Sequence, residues 1–151
     1  MELCNEIVIR GLLERHGFRF SRSMGQNFLI DPSIPAAIAE ASGADEGCGV
    51  LEIGPGIGPL TAELAKRAGK VVSIELDRAL LPVLAETVGD LPNVEIVPGD
   101  ALRLDLEGLI AEKFQGLTPM VCANLPYNIT TPVLTKLAGI PSLTALTVLI
   151  Q

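Results

Sequence analysis

The residues most able to do chemistry form the tetrapeptide Asn124-Leu125-Pro126-Tyr127. These residue types in this order could activate the exocyclic amine of an adenine. That amine is a poor nucleophile, because its lone pair is delocalised into the ring. The side-chain oxygen of Asn124 can accept one amine hydrogen, and the carbonyl of Leu125 can accept the other, since a residue before proline is held extended. Tyr127 offers a flat surface on which a base taken out of its stack can rest. The pattern predicts methyl transfer to an adenine amine, and the alternative is a simple strand-to-loop turn.

Such a reaction makes few demands on acid–base chemistry. Attack on a sulfonium methyl group is an in-line displacement, so positioning of the reactants supplies much of the catalysis. No general base is needed before attack, and none is evident in the sequence. The one histidine, His16, lies in an N-terminal helical stretch and is interpreted as a surface residue.

Three further groups precede the tetrapeptide at intervals of about 20 to 25 residues. The Gly54–Gly58 segment lets the backbone turn sharply beside a ligand. Its GxGxG spacing and Pro55 make it less suited to a pyrophosphate than to the amino-acid end of a nucleoside. Glu75 can accept both hydroxyls of a ribose, and Asp100 can accept an adenine amine. The open alternatives are a tight turn, a solvated acid, and an Asx turn or helix cap, respectively.

The elements that must position these groups alternate along the chain. Strands are predicted at Val50–Ile53, Val71–Ile74, Val94–Val97, Met120–Ala123 and Leu143–Ile150. Helices are predicted at Asn5–His16, Ser33–Ala41 after Asp31-Pro32, Leu60–Ala68, Arg78–Val88 capped by Asp77, Leu106–Phe114, and from Pro132, capped by Thr131, to about Ala138. Alternation of this kind predicts a doubly wound α/β fold with parallel strands and right-handed crossovers. The four groups would then meet at the carboxyl edge of the sheet.

Composition narrows the class of protein. A chain of 151 residues that is 48% apolar favours one domain with a packed core. No apolar run reaches the roughly 18 residues of a membrane helix, and residues 1–20 carry charges throughout, unlike a signal peptide. Three scattered cysteines fit a reducing compartment better than disulfides or a zinc site. We therefore expect a cytoplasmic protein with no metal and no membrane partner.

The net charge of −7 is unfavourable for a nucleic-acid enzyme, since such affinity comes largely from basic groups. The N-terminal segment is a local exception, because its arginines alternate with phenylalanines that can stack on bases. Arg19 and Arg22 are predicted to contact RNA, because turn-prone serines interrupt the helical pattern there. The preceding helix is instead expected to pack its apolar side on the domain.

The sequence from Ser23 to Gln151 resembles the ribosomal RNA small-subunit adenine-N6 dimethyltransferases, which share their catalytic domain with the erythromycin-resistance rRNA methyltransferases. The resemblance rests on Gly25-Gln26-Asn27-Phe28-Leu29, Glu52-Ile53-Gly54-Pro55-Gly56-Ile57-Gly58, Ile74-Glu75-Leu76-Asp77, Gly99-Asp100-Ala101 and Asn124-Leu125-Pro126-Tyr127-Asn128-Ile129. The Asn-Ile-Thr-Thr-Pro run after the tetrapeptide is more similar to the housekeeping branch, which dimethylates two adjacent adenines near the 3′ end of small-subunit rRNA.

This resemblance implies a Rossmann-like class I methyltransferase sheet of strand order 3-2-1-4-5, with S-adenosylmethionine as cofactor, S-adenosylhomocysteine as product and no metal. It implies cofactor contacts at Gln26, Asn27, Leu29, Gly54, Gly56, Glu75, Leu76, Asp100, Ala101 and Asn124. It implies catalytic roles at the target base for Asn124, Leu125, Pro126 and Tyr127. Residues 1–48 would form N-terminal helices and an arm facing cofactor and RNA, and residues 49–151 the cofactor-binding core. The implied partner is small-subunit rRNA or the pre-ribosomal small subunit.

The chain also departs from the family pattern. Family members are much longer, continuing with further strands and a small helical domain that helps bind RNA. Ser23-Met24 stands where a basic residue and leucine are common. Without the further strands, the last predicted strand would lose its neighbour and present an apolar edge. We therefore expect a full-length protein to be monomeric. We expect the 151 residues alone to bind cofactor poorly, to lack turnover and to self-associate through the last strand.

Competing functions make different use of the same residues. A nicotinamide dehydrogenase would use the glycine turn and Glu75 but has no need of Asn-Leu-Pro-Tyr. A methyltransferase acting on DNA adenine or protein glutamine more often has proline at the position of Leu125. A ribosome-assembly protein that keeps the cofactor fold without turnover is the non-enzymatic alternative, and cofactor binding without transfer would identify it.

Overall fold

The computed structural model describes residues 2–18, 31–125 and 127–150. The helices are α1 (Glu6–Arg15), α2 (Ser33–Ala41), α3 (Pro59–Ala65), α4 (Leu81–Thr87), α5 (Leu106–Lys113) and α6 (Tyr127–Ala138), with a 3-10 turn at Arg78–Leu80 before α4. The strands are β1 (Cys48–Ile53), β2 (Lys70–Glu75), β3 (Val94–Pro98), β4 (Thr118–Leu125) and β5 (Leu146–Ile150). The predictions for Arg19, Arg22, Gln26, Asn27, Leu29 and Pro126 lie outside the described residues.

The five strands form one parallel sheet in the order β3-β2-β1-β4-β5. The prediction of a doubly wound sheet of order 3-2-1-4-5 is confirmed. A parallel sheet needs a crossover between successive strands, and α3, α4, α5 and α6 supply them. Successive residues of β1 point to opposite faces, and all six are buried, so the strand is covered on both sides, as its largely apolar sequence predicts.

One face of the sheet, which carries Leu51 and Ile53, packs against α5 and α6. The other face, which carries Val50, packs against α2 and α3. The N-terminal helix α1 forms a third apolar cluster that includes Ile57 of the glycine loop. Helix α1 therefore contacts the predicted ligand-binding edge directly.

The prediction that Asp77 begins one continuous helix over Arg78–Val88 is wrong at its first turn. Asp77 does cap the segment, since its Oδ1 accepts from the backbone N–H of Ala79 at 3.0 Å. Pro82 lacks the N–H that would bond the carbonyl of Arg78 in an α-helix. The Leu81 N–H bonds that carbonyl instead, which makes the first turn a 3-10 turn before α4 begins.

The predicted start of the last helix is also wrong. Proline is favoured in the first position of a helix, and for this reason the sequence predicted a helix that begins at Pro132 with Thr131 as its cap. The helix instead begins at Tyr127, and Pro132 lies inside it. Burial of Val133 and Leu137, at 2% and 1% exposure, holds the helix against the sheet. This packing outweighs the backbone hydrogen bond that an internal proline removes.

Strand β5 is shorter than predicted. Its ladder begins at Leu146, which pairs with Val121, rather than at Leu143. The backbone N–H and the hydroxyl of Thr144 both donate to the Pro119 carbonyl at 3.0 Å, so the chain before Leu146 is held beside β4 outside the assigned strand.

Candidate functional site at the carboxyl edge of the sheet

The predicted groups lie in one row across the sheet. The register pairs Ile53 with Ile74, so Gly54 is level with Glu75. It also pairs Glu75 with Pro98, so the end of β3 lies on the other side of Glu75 from Gly54. The pairing of Leu51 with Val121 puts Asn124 level with Gly54 on the other side. Strands are about 4.8 Å apart, so the row from β3 to β4 spans about 14 Å.

The glycine loop has the backbone conformation that its sequence predicts. Gly54, Gly56 and Gly58 have φ values of 71°, 62° and 100°, a region in which a side chain is strained. Among the described residues, a Cβ atom added to Gly54 would meet no atom within 4 Å, so these residues leave space beside its backbone. The loop closes through a bond from the Gly58 N–H to the Pro55 carbonyl at 2.9 Å, and α3 begins at once.

Glu75 holds two loops together. Its Oε1 accepts from the Gly56 N–H at 3.2 Å and its Oε2 accepts from the Asp77 N–H at 2.9 Å. Its side chain is buried, and burial raises the pKa of the carboxyl above its ordinary value despite these bonds. The alternative of a fully solvated acid is therefore excluded. Each carboxylate oxygen can accept a further hydrogen bond, so acceptors remain for a ligand hydroxyl.

Asp100 forms the Asx turn that was the alternative to a binding role. Its Oδ1 accepts from the Leu102 N–H at 2.9 Å. Its Oδ2 lies 3.7 Å from Nε of Arg103, whose side chain is 89% exposed, so that ion pair is weak. The turn and a binding role are compatible, because the turn uses one oxygen and leaves Oδ2 as an acceptor at the edge of the sheet.

Asn124 and Leu125 are the last two residues of β4. Asn124 is half-buried, whereas Leu125 is 1% exposed. Tyr127 is the first residue of α6. The predicted strand-end position of Asn124 and Leu125 agrees with the structure.

The remaining predicted cofactor contacts differ in exposure. Leu76 is 66% exposed, which is unusual for leucine and leaves an apolar surface next to Glu75. Ala101 is 8% exposed and belongs to the core cluster under α6, so its methyl group is not available to a ligand at the edge.

A buried acid beneath the glycine loop was not assigned a role from the sequence. Glu52 is 1% exposed, and its Oε1 accepts the hydroxyls of Thr61 on α3 and of Ser73 on β2, the latter at 2.7 Å. Burial raises the pKa of Glu52 from 4.5 to about 7, and the nearby charge of Glu75 adds to this effect. An acidic residue inside an otherwise apolar strand was the available signal.

His16 proves to be less exposed than expected. Its Nε2 lies 3.3 Å from Oε2 of Glu86, which also binds Nη2 of Arg15 at 3.0 Å. These contacts hold the end of α1 against α4 through Glu86. They give His16 a structural position and no evident catalytic one.

Two negative findings apply to the described part of the chain. Among residues 2–18, 31–125 and 127–150, no group of His, Cys, Asp and Glu side chains has the arrangement of a metal site. Within the same residues, no helix has the length and apolar character needed to span a bilayer.

The parallel five-stranded sheet of this order, with the predicted binding residues in one row at its carboxyl edge, defines a Rossmann-like methyltransferase fold. The same fold is seen in the crystal structure of the 23S rRNA methyltransferase ErmE, with a TM-score of 0.63 and 32% identity over 76% of this chain and 43% of that one. A dimethyladenosine transferase from Plasmodium falciparum gives a TM-score of 0.61 and 29% identity over 77% of this chain and 41% of that one.

The particular family follows from the sequence. The ribosomal RNA adenine dimethylase model matches residues 17–151, and the chain belongs to this family. The ribosomal RNA small subunit methyltransferase A of Shouchella clausii is 54% identical over 127 residues, which cover 83% of this chain and 43% of that protein. The chain thus spans less than half the length of this relative.

Proposed function

We propose that the protein transfers methyl groups from S-adenosylmethionine to the N6 amine of adenines in small-subunit rRNA, two adjacent adenines being dimethylated. The main support for this proposal is that Asn124, at the end of β4, is level with Gly54 and Glu75. A cofactor lying across β2 and β1 would then end beside the residues proposed to hold the target amine. Since the chain spans less than half of its relative, the activity is proposed for the whole protein.

The residues at the edge fit S-adenosylmethionine part by part. The open space beside Gly54 admits the amino-acid end, and the Glu75 carboxylate has acceptors for the ribose hydroxyls. The exposed Leu76 gives an apolar surface for the adenine ring, and Oδ2 of Asp100 can accept from its amine. Acidic groups at this edge also favour a ligand that carries a sulfonium and an ammonium charge.

The cofactor would supply an electrophilic methyl group, and the protein would orient the target amine toward it. The side-chain oxygen of Asn124 and the carbonyl of Leu125 accept the two hydrogens of the target amine, which favours a pyramidal nitrogen with its lone pair directed at the methyl group. Tyr127 would stack on the target base, and Pro126 would keep the Leu125 carbonyl extended. Gln26, Asn27 and Leu29 would lie over the cofactor. The methylated amine carries one proton too many after transfer and loses it to solvent, so the protein's main contribution is to position the reactants.

RNA affinity must come from few groups. Several basic side chains of the described core are already paired with acids: Arg15 with Glu86, Lys66 and Arg67 with Glu63, and Lys113 with Glu95. We therefore propose Arg19 and Arg22 as phosphate contacts, together with basic groups elsewhere in the whole protein.

Calorimetric titration of the protein at its full natural length with S-adenosylmethionine tests the cofactor assignment. We expect saturable binding that weakens at least tenfold in Asp100→Ala, persists in the exposed-site control Asp90→Ala, and has no counterpart with NAD. Binding of NAD, or equal affinity of Asp100→Ala and the unaltered protein, would contradict the assignment.

Methyl transfer to unmethylated small subunits tests the reaction itself, in the protein at its full natural length. Asn124→Ala should lower the rate at least a hundredfold. Because Asn124 is also a predicted cofactor contact, the rates are compared at saturating S-adenosylmethionine. Cofactor binding without any transfer by the unaltered protein would instead identify a binding protein that keeps the cofactor fold.

A further inference from the structure

Lys136 makes two contacts that the proposed mechanism does not explain. It lies in the last turn of α6, and its Nζ donates to the carbonyl of Ala101 at 2.7 Å and to that of Leu104 at 2.6 Å. Both acceptors belong to the loop that follows β3, which contains Asp100. Charge-assisted bonds of this length are among the stronger hydrogen bonds in proteins.

The first of these contacts acts on the same peptide unit as Asp100. The peptide between Ala101 and Leu102 presents its carbonyl to Nζ of Lys136 and its N–H to Oδ1 of Asp100. A peptide unit is planar, so fixing its carbonyl also fixes the direction of its N–H. The Asp100 carboxylate is thereby held by one oxygen, and the direction of its Oδ2 is set.

The second contact closes the loop. The Asp100 carbonyl accepts from the N–H groups of Arg103 and Leu104, each at 2.9 Å, which makes a compact turn. The Leu104 carbonyl at the end of this turn is bound to Lys136. Lys136 therefore hydrogen-bonds the turn at two carbonyls and connects it to α6, the helix that begins at Tyr127.

We propose that Lys136 is a positioning residue that orients Asp100 for recognition of the adenine amine of the cofactor. The inference rests on the proposed function, since it takes the ligand of Asp100 to be that adenine. Lys136 touches neither cofactor nor RNA in this scheme. Its effect should therefore appear in discrimination of the base and not only in stability.

The test compares Lys136→Met with Lys113→Met in the protein at its full natural length. Lys113 is a matched control, because it lies in the last turn of α5 and its Nζ binds Glu95 at 2.9 Å, away from the loop. The probes are S-adenosylhomocysteine and S-inosylhomocysteine, in which an oxygen replaces the adenine amine. Lys136→Met should weaken the adenosyl compound about tenfold and the inosyl compound less than twofold. Lys113→Met should change neither by more than twofold.

Two further variants separate positioning from a general loss of structure. Asp100→Ala combined with Lys136→Met should bind no more weakly than Asp100→Ala alone, because the lysine acts through the carboxylate. Lys136→Arg keeps the positive charge and N–H donors for the two carbonyls and should recover part of the lost affinity. Additive losses in the double variant, or equal loss for both probes, would overturn the inference.

Amide exchange gives a readout without ligand. The Leu102 N–H should exchange about ten times faster in Lys136→Met than in Lys113→Met, because its acceptor is no longer held. Equal exchange in the two variants would overturn the Lys136 inference while leaving the cofactor assignment intact. Failure of the unaltered protein to bind S-adenosylhomocysteine would overturn the proposed function, and the adenine role of Lys136 with it.

Discussion

Replacing Glu52 with glutamine should remove much of the pH dependence of stability between pH 5 and pH 8. Glu52 is 1% exposed and accepts two hydroxyl hydrogen bonds, from Thr61 and Ser73. Burial disfavours the charged form and raises the pKa from 4.5 to about 7, although the hydroxyls partly offset this effect and the charge of Glu75 reinforces it.

The sign follows from proton uptake. In the unfolded chain the carboxyl ionises near its ordinary pKa of 4.5, whereas in the folded domain its pKa is about 7. Between these values the folded state binds the additional proton, so the free energy of unfolding falls as pH rises. The pKa difference corresponds to about 3 kcal/mol, present in full below pH 4.5 and lost as pH rises through about 7.

Urea unfolding at pH 5, 6, 7 and 8 measures this effect. Glutamine keeps a side-chain oxygen for Thr61 and Ser73 but carries no charge, so Glu52→Gln should match the unaltered chain at pH 5. It should exceed it by about 2 to 3 kcal/mol at pH 8. A smaller slope should remain, because burial also raises the pKa of Glu75. The exposed-site control Glu40→Gln should follow the unaltered chain. An unchanged slope in Glu52→Gln would refute the reasoning.

The other two predictions concern backbone conformation and the sheet edge. Gly58→Ala should cost about 1 to 3 kcal/mol in urea unfolding, because φ is 100° and the new Cβ would lie 3.0 Å from Val88 Cγ1. Gly43→Ala, with positive φ but no described atom within 4 Å of the new Cβ, is the control and should cost less. A polypeptide of these 151 residues should self-associate through β5, which is at the end of the sheet and exposes 40% of Leu146. Leu146→Lys should reduce the mass measured by light scattering, and a monomeric unaltered chain would contradict this.

Most of the fold was predictable because it depends on local patterns. The five apolar runs gave the five strands, and their alternation with helical stretches gave the parallel sheet. Glu75 and Asp100 were recognisable because a polar residue at the end of an apolar run stands out. The boundary errors at Pro82 and Pro132 arose where proline's local preference competed with packing, which a single sequence does not reveal.

The contacts of Glu52 and Lys136 were not predictable, for a different reason. The Glu52 partners are 9 and 21 residues away, and the Lys136 partners 35 and 32 residues away. Each contact exists only once the crossover helices have packed. A lysine in the last turn of a helix is common, since it complements the helix dipole, so its type and position carry no special signal.

The spacing of the site is set by the backbone and not by the side chains that line it. The Gly54 N–H donates to the Ile74 carbonyl, and the Gly99 N–H donates to the Glu75 carbonyl, each at 2.9 Å. These bonds continue the sheet into the loops, so the row keeps the strand spacing of about 4.8 Å. Side-chain changes in the loops should therefore alter which groups a ligand meets, whereas its extent across the sheet stays fixed. Asp100 is the exception, because its loop leaves the sheet after Gly99 and depends on Lys136 for its orientation.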